Sequence, residues 1–227
     1  MGFDVIPTDC IAAVLKEALP NATHLALAFD ARGPMSPGTA RTMAVSMRLG
    51  QRGGRIRRNG MIEEVPLVHS RRRVDFEGGS APAIAIAWGD LATAWFLTGI
   101  PNIETYVKVP FAVAIAGPAL NWARPLLASA SGQAVLQQLA KRCPGPSEEE
   151  LRTGRSRLWG EVRNASGVRR TARLETANGY RLTVDGTLMA VQFLVKNAPS
   201  GGYYTPSMLM GARCVEQLPG STSIRVE

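Results

Sequence analysis

The chain has 227 residues, of which 45% are hydrophobic, 19% charged and 6% aromatic. Apolar content at this level fills a core, which excludes a wholly disordered or collagen-like polymer, and the length suits one large domain or two small ones. The net charge of +8 comes from 26 basic against 18 acidic residues, and only Lys16, Lys108, Lys141 and Lys196 are lysines, so arginine carries the positive charge. The planar guanidinium suits phosphate and carboxylate partners, although arginine richness also follows from a GC-rich genome.

In chain order, the apolar run at residues 3–7 predicts a short strand. Thr8 and Asp9 then offer N-cap oxygens to a helix over residues 10–19, where Ile11, Val14, Leu15 and Ala18 repeat at helical spacing and Pro20 stops it. Residues 23–29 alternate with period two and read as a strand. Ser36-Pro37 is a cap with proline at the first helical position, opening a helix to Leu49 with Gly50 as its stop. Asn59-Gly60 marks a hairpin, because both turn residues must accept positive φ.

A strand at residues 83–87 leads to Trp88-Gly89. Asp90 is expected to cap a short helix ending near Thr98, with Gly99 as its left-handed terminator and a strand at 104–109 following. The most apolar stretch, residues 111–130, is broken by Pro118 and Pro125 and carries Asn121 and Arg124, so it reads as a buried or interface helix pair rather than a membrane span. Residues 133–142 predict a helix. Residues 148–150 open a polar segment, either a loop or one helical turn, and residues 158–163 and 169–176 a second hairpin pair. A helix at 182–195 tolerates Gly186 at a cost of about 1 kcal/mol against alanine. Thr205-Pro206 opens a helix to Gln217, and residues 222–226 form a last strand. This order predicts an α/β (α+β-like) layer with a mixed β-sheet and packed helices.

Cys10, Cys143 and Cys214 are odd in number and lack close pairing, and His24 and His69 are the only histidines. Neither a zinc site nor a disulfide framework is expected, and all three cysteines read as buried small hydrophobes in a reducing, cytoplasmic setting. The first residues have no basic and apolar segments of the signal-peptide kind. No G-x-G-x-x-G, P-loop or G-x-S-x-G pattern occurs. Residues 48–73 hold eight arginines against Glu63 and Glu64. With few aromatics and no recognisable nucleic-acid motif, this cluster reads as a solvated sheet face rather than a nucleic-acid footprint.

Five motifs carry a resemblance: Gly2-Phe-Asp-Val-Ile-Pro-Thr-Asp-Cys10, Ser36-Pro-Gly-Thr-Ala-Arg-Thr42, Ile84-Ala-Ile-Ala-Trp-Gly-Asp90, Thr98-Gly-Ile-Pro-Asn-Ile-Glu104 and Tyr203-Tyr-Thr-Pro206. In this order, the chain resembles the saccharopine dehydrogenase-like reductases, and within them the trans-acting enoyl reductases of bacterial lipid synthesis. The resemblance spans nearly the whole chain and covers the region after the family's N-terminal Rossmann core. It implies NAD(P) as cofactor, though with the glycine-rich phosphate turn absent from this chain, a small-molecule or acyl substrate, and a homo-oligomer.

The resemblance implies three parts: residues 1–20 as an edge of the nucleotide domain, 21–204 as a substrate-binding and dimerisation domain, and 205–227 as a return to the nucleotide-domain side. Asp4, Thr8 and Asp9 match the segment passing the nicotinamide end of the cleft. Ser36, Gly38, Thr39 and Arg41 match a helix N-terminus facing it, where bare N–H groups would receive an acyl or carboxyl oxygen. Trp88, Gly89 and Asp90 end a core strand, and Thr205 begins the returning helix. Each also has a plainer reading as a cap or packing residue, and no residue is assigned as catalytic. The leading function is the substrate and oligomerisation part of an NAD(P)-dependent oxidoreductase acting on a carbonyl, imine or enoyl group. It would leave an apolar face uncovered at the helices over 10–19 and 206–217. The alternatives are a non-catalytic binding or scaffold domain, and an arginine-rich binder of nucleic acid or acidic membrane surfaces.

Overall fold

The computed structural model describes residues 2–31, 33–46, 52–76 and 79–227. Its first helix, α1 (Ile6–Ala18), is buried at every position from Ile6 to Leu15, as a helix apolar almost all round must be. It precedes β1 (Ala22–Ala31), α2 (Pro37–Ser46), the hairpin β2 (Gly53–Arg58) and β3 (Met61–Pro66), and a second pair, β4 (Arg71–Asp75) and β5 (Ser80–Ile86). Then come α3 (Asp90–Thr98), β6 (Asn102–Lys108), α4 (Phe111–Ala116), α5 (Leu120–Ala128), α6 (Ala130–Lys141) and α7 (Glu148–Thr153). The last elements are the hairpin β7 (Arg155–Asn164) and β8 (Arg169–Ala177), the long α8 (Gly179–Asn197), α9 (Pro206–Met210) and the two-residue β9 (Arg225–Val226).

The strands form one mixed sheet in the order β3-β2-β6-β1-β7-β8-β9, with β4 and β5 branching off. β1 and β6 run parallel, and the other described pairs are antiparallel. The free edge of β6 is shared: β2 pairs at Ile103 and β5 takes Thr105 to Lys108. Alternation divides the sheet into two faces. Leu25, Leu27 and Phe29 of β1, Ile103 of β6, Leu158 and Val162 of β7 and Leu174 of β8 join α1 in the main core. On the reverse face Ala28, Tyr106 and Trp159 meet Val74, Phe76, Ala83 and Ala85 of the β4–β5 region in a second, smaller cluster.

Two glycines set how closely the layers approach. A Cβ on Gly160 of β7 would lie 2.4 Å from Ile11 Cγ2 and 2.7 Å from Leu15 Cδ1, and one on Gly186 of α8 would lie 2.4 Å from Ile6 Cδ1. The Gly186 that weakens α8 as an isolated helix is therefore what lets α1 dock against it. The Asn59-Gly60 turn forms as expected, with φ of 49° and 80°.

Several expectations are corrected. Residues 3–5 are a turn, not a strand, closed by Ile6 N–H on Gly2 O at 2.9 Å. Helix α1 starts at Ile6, so Thr8 and Asp9 lie inside it rather than capping it, and the Thr8 hydroxyl donates to Val5 O at 3.0 Å. Gly89, not Asp90, occupies the N-cap of α3, although Gly99 ends that helix with φ of 67° as expected. The polar segment at 148–150 is helical because Ser147 and Glu150 form a reciprocal capping box. The helix expected from 206 to 217 breaks at Gly211, φ 96°, and resumes as a 3₁₀ turn at Cys214–Gln217. The expected end of α2 at Leu49 and Gly50 falls outside the described residues. Cys10 and Cys214 are buried with their sulfurs 3.5 Å apart, but Cys143 is only half-buried.

The stretch 111–130 is not buried. It forms short helices, α4 and α5 joined by a 3₁₀ turn that holds Pro118, with Pro125 inside α5, and they touch the body on one side, leaving Phe111 66% and Trp122 90% exposed. The uncovered apolar surface thus lies here and along Val184, Leu188, Val191 and Val195 of α8, not on the enclosed α1. Among the described residues, no helix is long and apolar enough to cross a membrane.

Replacing Gly160 with alanine forces a methyl between β7 and α1. We expect a loss of about 1–3 kcal/mol from overpacking, read as a fall in Tm of about 2–4 °C for each kcal/mol in a chain of this size.

Candidate functional site

The N-terminal ends of α1, α3 and α9 bring Asp4, Thr8, Asp9, Gly89, Asp90 and Thr205 into one neighbourhood. Asp9, fully buried, accepts the Ser207 N–H on Oδ2 at 2.7 Å, while its Oδ1 has no partner. Thr205 caps α9 by accepting from Met208 N–H at 3.4 Å. Asp90 is also fully enclosed, and neither of its oxygens accepts a hydrogen bond. Burial pushes its carboxyl up to about 8; the Thr8 hydroxyl beside it is the next influence and opposes the rise, while the charges of Asp4 and Asp9 add to it. Burial likewise raises Asp9, against hydrogen bonds from Ser207 and Thr205.

Asp4 is exposed at the rim, where partial desolvation raises it against the Gly89 backbone. A side chain at position 89 would strike its carboxylate, since a Cβ there would be 2.9 Å from Asp4 Oδ1. Trp88 packs on Phe29 at 4.9 Å, and Phe29 meets Phe3 edge-on at 5.5 Å, giving the cluster an aromatic wall. The Trp88 indole N–H is buried without an acceptor.

Ser36, Gly38 and Thr39 form a second group, around a residue that sequence reasoning missed. Tyr180, in the first turn of α8, accepts the Ser36 N–H at 2.7 Å and lies 3.0 Å from Thr39 Oγ1. Burial pushes its phenol up, but the hydrogen bonds from Ser36 and Thr39 outweigh it and hold Tyr180 below the usual tyrosine range. Ser36 Oγ meanwhile accepts the Thr39 N–H at 3.2 Å. The α2 terminus is therefore capped from within rather than bare, which matches the plainer of the two readings of Ser36. Arg41 is exposed and makes no hydrogen bond or ion pair among the described residues. Phe3 links the two groups: its N–H donates to Thr183 on α8 at 3.0 Å, and its ring lies against Gly179, where a Cβ would come within 3.0 Å of Cγ. The only sequence signal for Tyr180 was Asn178, which caps α8 by accepting the Tyr180 N–H at 2.9 Å.

These helix ends do not fit a dinucleotide pyrophosphate, which needs unspent N–H donors and a glycine-rich turn. Ser36 and Tyr180 occupy donors of α2, Asn178 one of α8, and Asp9 and Thr205 two of α9, while Asp4 and Asp90 crowd the start of α3 with carboxyl groups. Among the described residues, no group of three or more His, Cys, Asp or Glu is placed to hold a metal ion.

No family model matches the chain, and no curated protein matches it. Among solved structures, it is similar to apo histidine-tagged saccharopine dehydrogenase (L-Glu forming) from Saccharomyces cerevisiae. The TM-score is 0.53 at 12% identity, covering 100% of this chain and 72% of that one. The chain has a saccharopine dehydrogenase-like fold. Within that fold, the expected residues fall into two groups joined at the start of α8, and Tyr180 joins them.

Two measurements check these electrostatics. Asp90 keeps its proton in the fold up to about 8 but ionises near 3.8 once unfolded. Across that window the folded state binds the extra proton, so raising the pH removes stability, by at most about 1.4 kcal/mol per pH unit. Urea denaturation at successive pH values should show this slope, and Asp90→Asn should flatten it, leaving the shares of Asp9 and Asp4, whose carboxyls burial also raises. Second, alkaline titration of tyrosinate absorbance should show Tyr180 ionising first, a step that Tyr180→Phe removes. Tyr106, which burial and then the Glu104 carboxylate push up to about 12, should titrate late.

Proposed function

We propose that this chain forms the substrate-shaping and oligomerisation part of an NAD(P)-dependent oxidoreductase that acts on a carbonyl, imine or enoyl group. The observation that carries this reading is the Tyr180 phenol, held below its usual range by Ser36 and Thr39. The saccharopine dehydrogenase-like fold supplies the wider context. Reduction of a polar double bond needs a proton at the heteroatom, and general acids work best when their pKa approaches the operating pH. In this reading the Tyr180 O–H bond breaks, the proton passes to the oxygen or nitrogen of the acceptor, and the electron pair stays on the phenolate. That oxygen is stabilised by the Ser36 N–H and the Thr39 hydroxyl, whose hydrogen bonds strengthen as charge develops.

The aromatic wall of Phe3, Phe29 and Trp88 gives an acyl or aliphatic substrate an apolar flank, and Arg41 offers an unspent guanidinium for a carboxylate. The exposed apolar rows of α8 and of α4–α5 support burial against a second copy or a companion domain. The dinucleotide is assigned to a separate nucleotide domain, because the helix ends described above are filled by the chain's own oxygens. An enoyl acceptor would favour the enoyl reductase-like branch.

The test joins two observations: fluorescence titration of NADPH with the chain, and the DNA immediately upstream of the Met1 codon. We expect a flat titration to millimolar cofactor and a strand–G-x-G-x-x-G–helix pattern upstream in the same frame. Micromolar binding by the chain alone would overturn this division of labour. A flat titration with no such pattern would assign the chain instead to the non-catalytic scaffold class.

A further inference from the structure

On the reverse face of the sheet, away from α1, lies a cavity of about 480 Å³ that contains none of the residues discussed above as a candidate site. Its floor is one cross-strand row. His24 of β1 stands beside Asn102 of β6 and Arg163 of β7, and Arg163 stands directly opposite Arg169 of β8. Like charges placed opposite each other on neighbouring strands destabilise a sheet. Both side chains are exposed to water, and among the described residues neither Arg163 nor Arg169 makes a side-chain hydrogen bond or ion pair. The next row on this face adds Glu161, and Arg72 reaches over from β4 to pair with it at 3.0 Å, its guanidinium lying 4.5 Å above the Trp159 ring.

Arg57 of β2 also borders the cavity, but it stands opposite Ile103 of the core face and is only 7% exposed, so its side chain is turned away toward α3. Its guanidinium donates to Leu91 O at 2.6 Å and to Gly60 O, and lies 4.5 Å over the Trp95 ring, with no carboxylate partner. A buried cation normally pairs with an anion. Here backbone carbonyls and a ring face hold it in place instead. The lining thus sets five arginines against Glu104 and Glu161. Arg58 is neutralised from outside by Glu63 at 3.0 Å, and Arg72 by Glu161. Glu104 is engaged by His69 at 3.4 Å and by the Tyr106 hydroxyl. Arg163 and Arg169 are left with no partner carboxylate, side by side on the cleft floor, where their potentials add.

We propose that this cavity is a binding site for a small multivalent oxyanion, a phosphoryl or polycarboxylate group seated on Arg163 and Arg169 beside His24. Its volume lies in the range of small-molecule pockets, roughly 300–1,000 Å³. Arg72 and the β2–β3 hairpin wall it in, which suits a compact ligand rather than a polymer backbone. His24, whose Nδ1 lies 3.0 Å from the Thr23 hydroxyl, has Nε2 left for the same ligand. The site draws three arginines from the basic stretch at 48–73 and two from the distant β7–β8 hairpin, so no single run of sequence displays it.

The test is isothermal titration calorimetry of the whole chain with pyrophosphate and, separately, with citrate, at low and at physiological salt. The paired variant Arg163→Gln/Arg169→Gln removes two cations that make no ion pair, so its melting temperature should hold or rise. Lys141→Gln/Arg142→Gln removes the same charge from residues outside the lining. We expect saturable one-to-one binding that weakens with salt. The arginine pair should lose about tenfold or more, as for lost charge-assisted hydrogen bonds, and the control pair should match the parent. Tighter binding of pyrophosphate identifies a phosphoryl ligand, and tighter binding of citrate a carboxylate one. Equal affinity in parent and arginine variant, or no heat with either anion at millimolar concentration, overturns the proposal. So does binding of a single-stranded RNA that neither anion displaces.

Discussion

Helix α1 meets its neighbours through two missing side chains, and the rest of the molecule is arranged around that fit. Gly160 lets Ile11 and Leu15 down onto the sheet, and Gly186 admits Ile6 to the flank of α8. A helix held this tightly cannot shift by even a methylene without cost, because protein interiors pack like organic crystals. The same docking carries Thr8 to Asp90, brings Asp9 to the Ser207 N–H, and sets Phe3 against the first turn of α8. The positions of the polar groups are therefore consequences of apolar packing. The two glycines act on chemistry several residues away by fixing where α1 begins.

The two faces of the sheet handle charge in opposite ways. On the helix face, Asp90 is desolvated among other acids and without hydrogen-bond donors, so it stays protonated rather than carry a charge it cannot satisfy. On the reverse face, arginine cannot take that escape, because a guanidinium keeps its proton at any ordinary pH. Arg57, turned toward α3 on the helix face, is desolvated too, and burial lowers its pKa, yet it remains a cation supported by carbonyl oxygens and the Trp95 ring. The helix face therefore holds neutral acids and one carbonyl-held cation, and the reverse face the unpaired couple Arg163 and Arg169. Lys108 with Asp30 at 2.8 Å and Arg157 with Glu175 at 3.0 Å show that the reverse face pairs its charges elsewhere. The unpaired set at one end of the sheet is a local departure.

Periodicity and punctuation made most elements legible in the sequence. Asn59-Gly60, Ser36-Pro37, Gly99 and Pro20 each do in the structure what local chemistry demands. Errors came where a local rule was overruled by long-range contact. Thr8 and Asp9 look like caps, but Pro7 at the start of a helix outcompetes them, and their side chains serve α9 and α3 instead. Asp90 looks like a cap for the same reason, and its burial depends on α1, some eighty residues away in sequence. The stretch 111–130 is apolar enough for a core, yet its short helices are covered on one side only and leave Phe111 and Trp122 exposed. Tyr180 was invisible because its partners, Ser36 and Thr39, are remote in sequence. The unpaired arginines of the reverse face become visible only once the strand register aligns Arg163 with Arg169.

A fold shared with a yeast dehydrogenase at 12% identity fixes little beyond backbone path and layer spacing. The polar groups are a separate matter. Where a dinucleotide-binding turn leaves N–H groups free, this chain fills the ends of α2, α8 and α9 with Ser36, Tyr180, Asn178, Asp9 and Thr205. Capping makes each helix end stable without a ligand, and it removes the donors a phosphate would use. In α2 the capping group is itself acidic, and the hydrogen bonds that satisfy the helix also lower the phenol of Tyr180. Closing that helix end and activating the phenol are one physical event, in which an N–H withdrawn from phosphate binding becomes a donor to a group able to give up a proton.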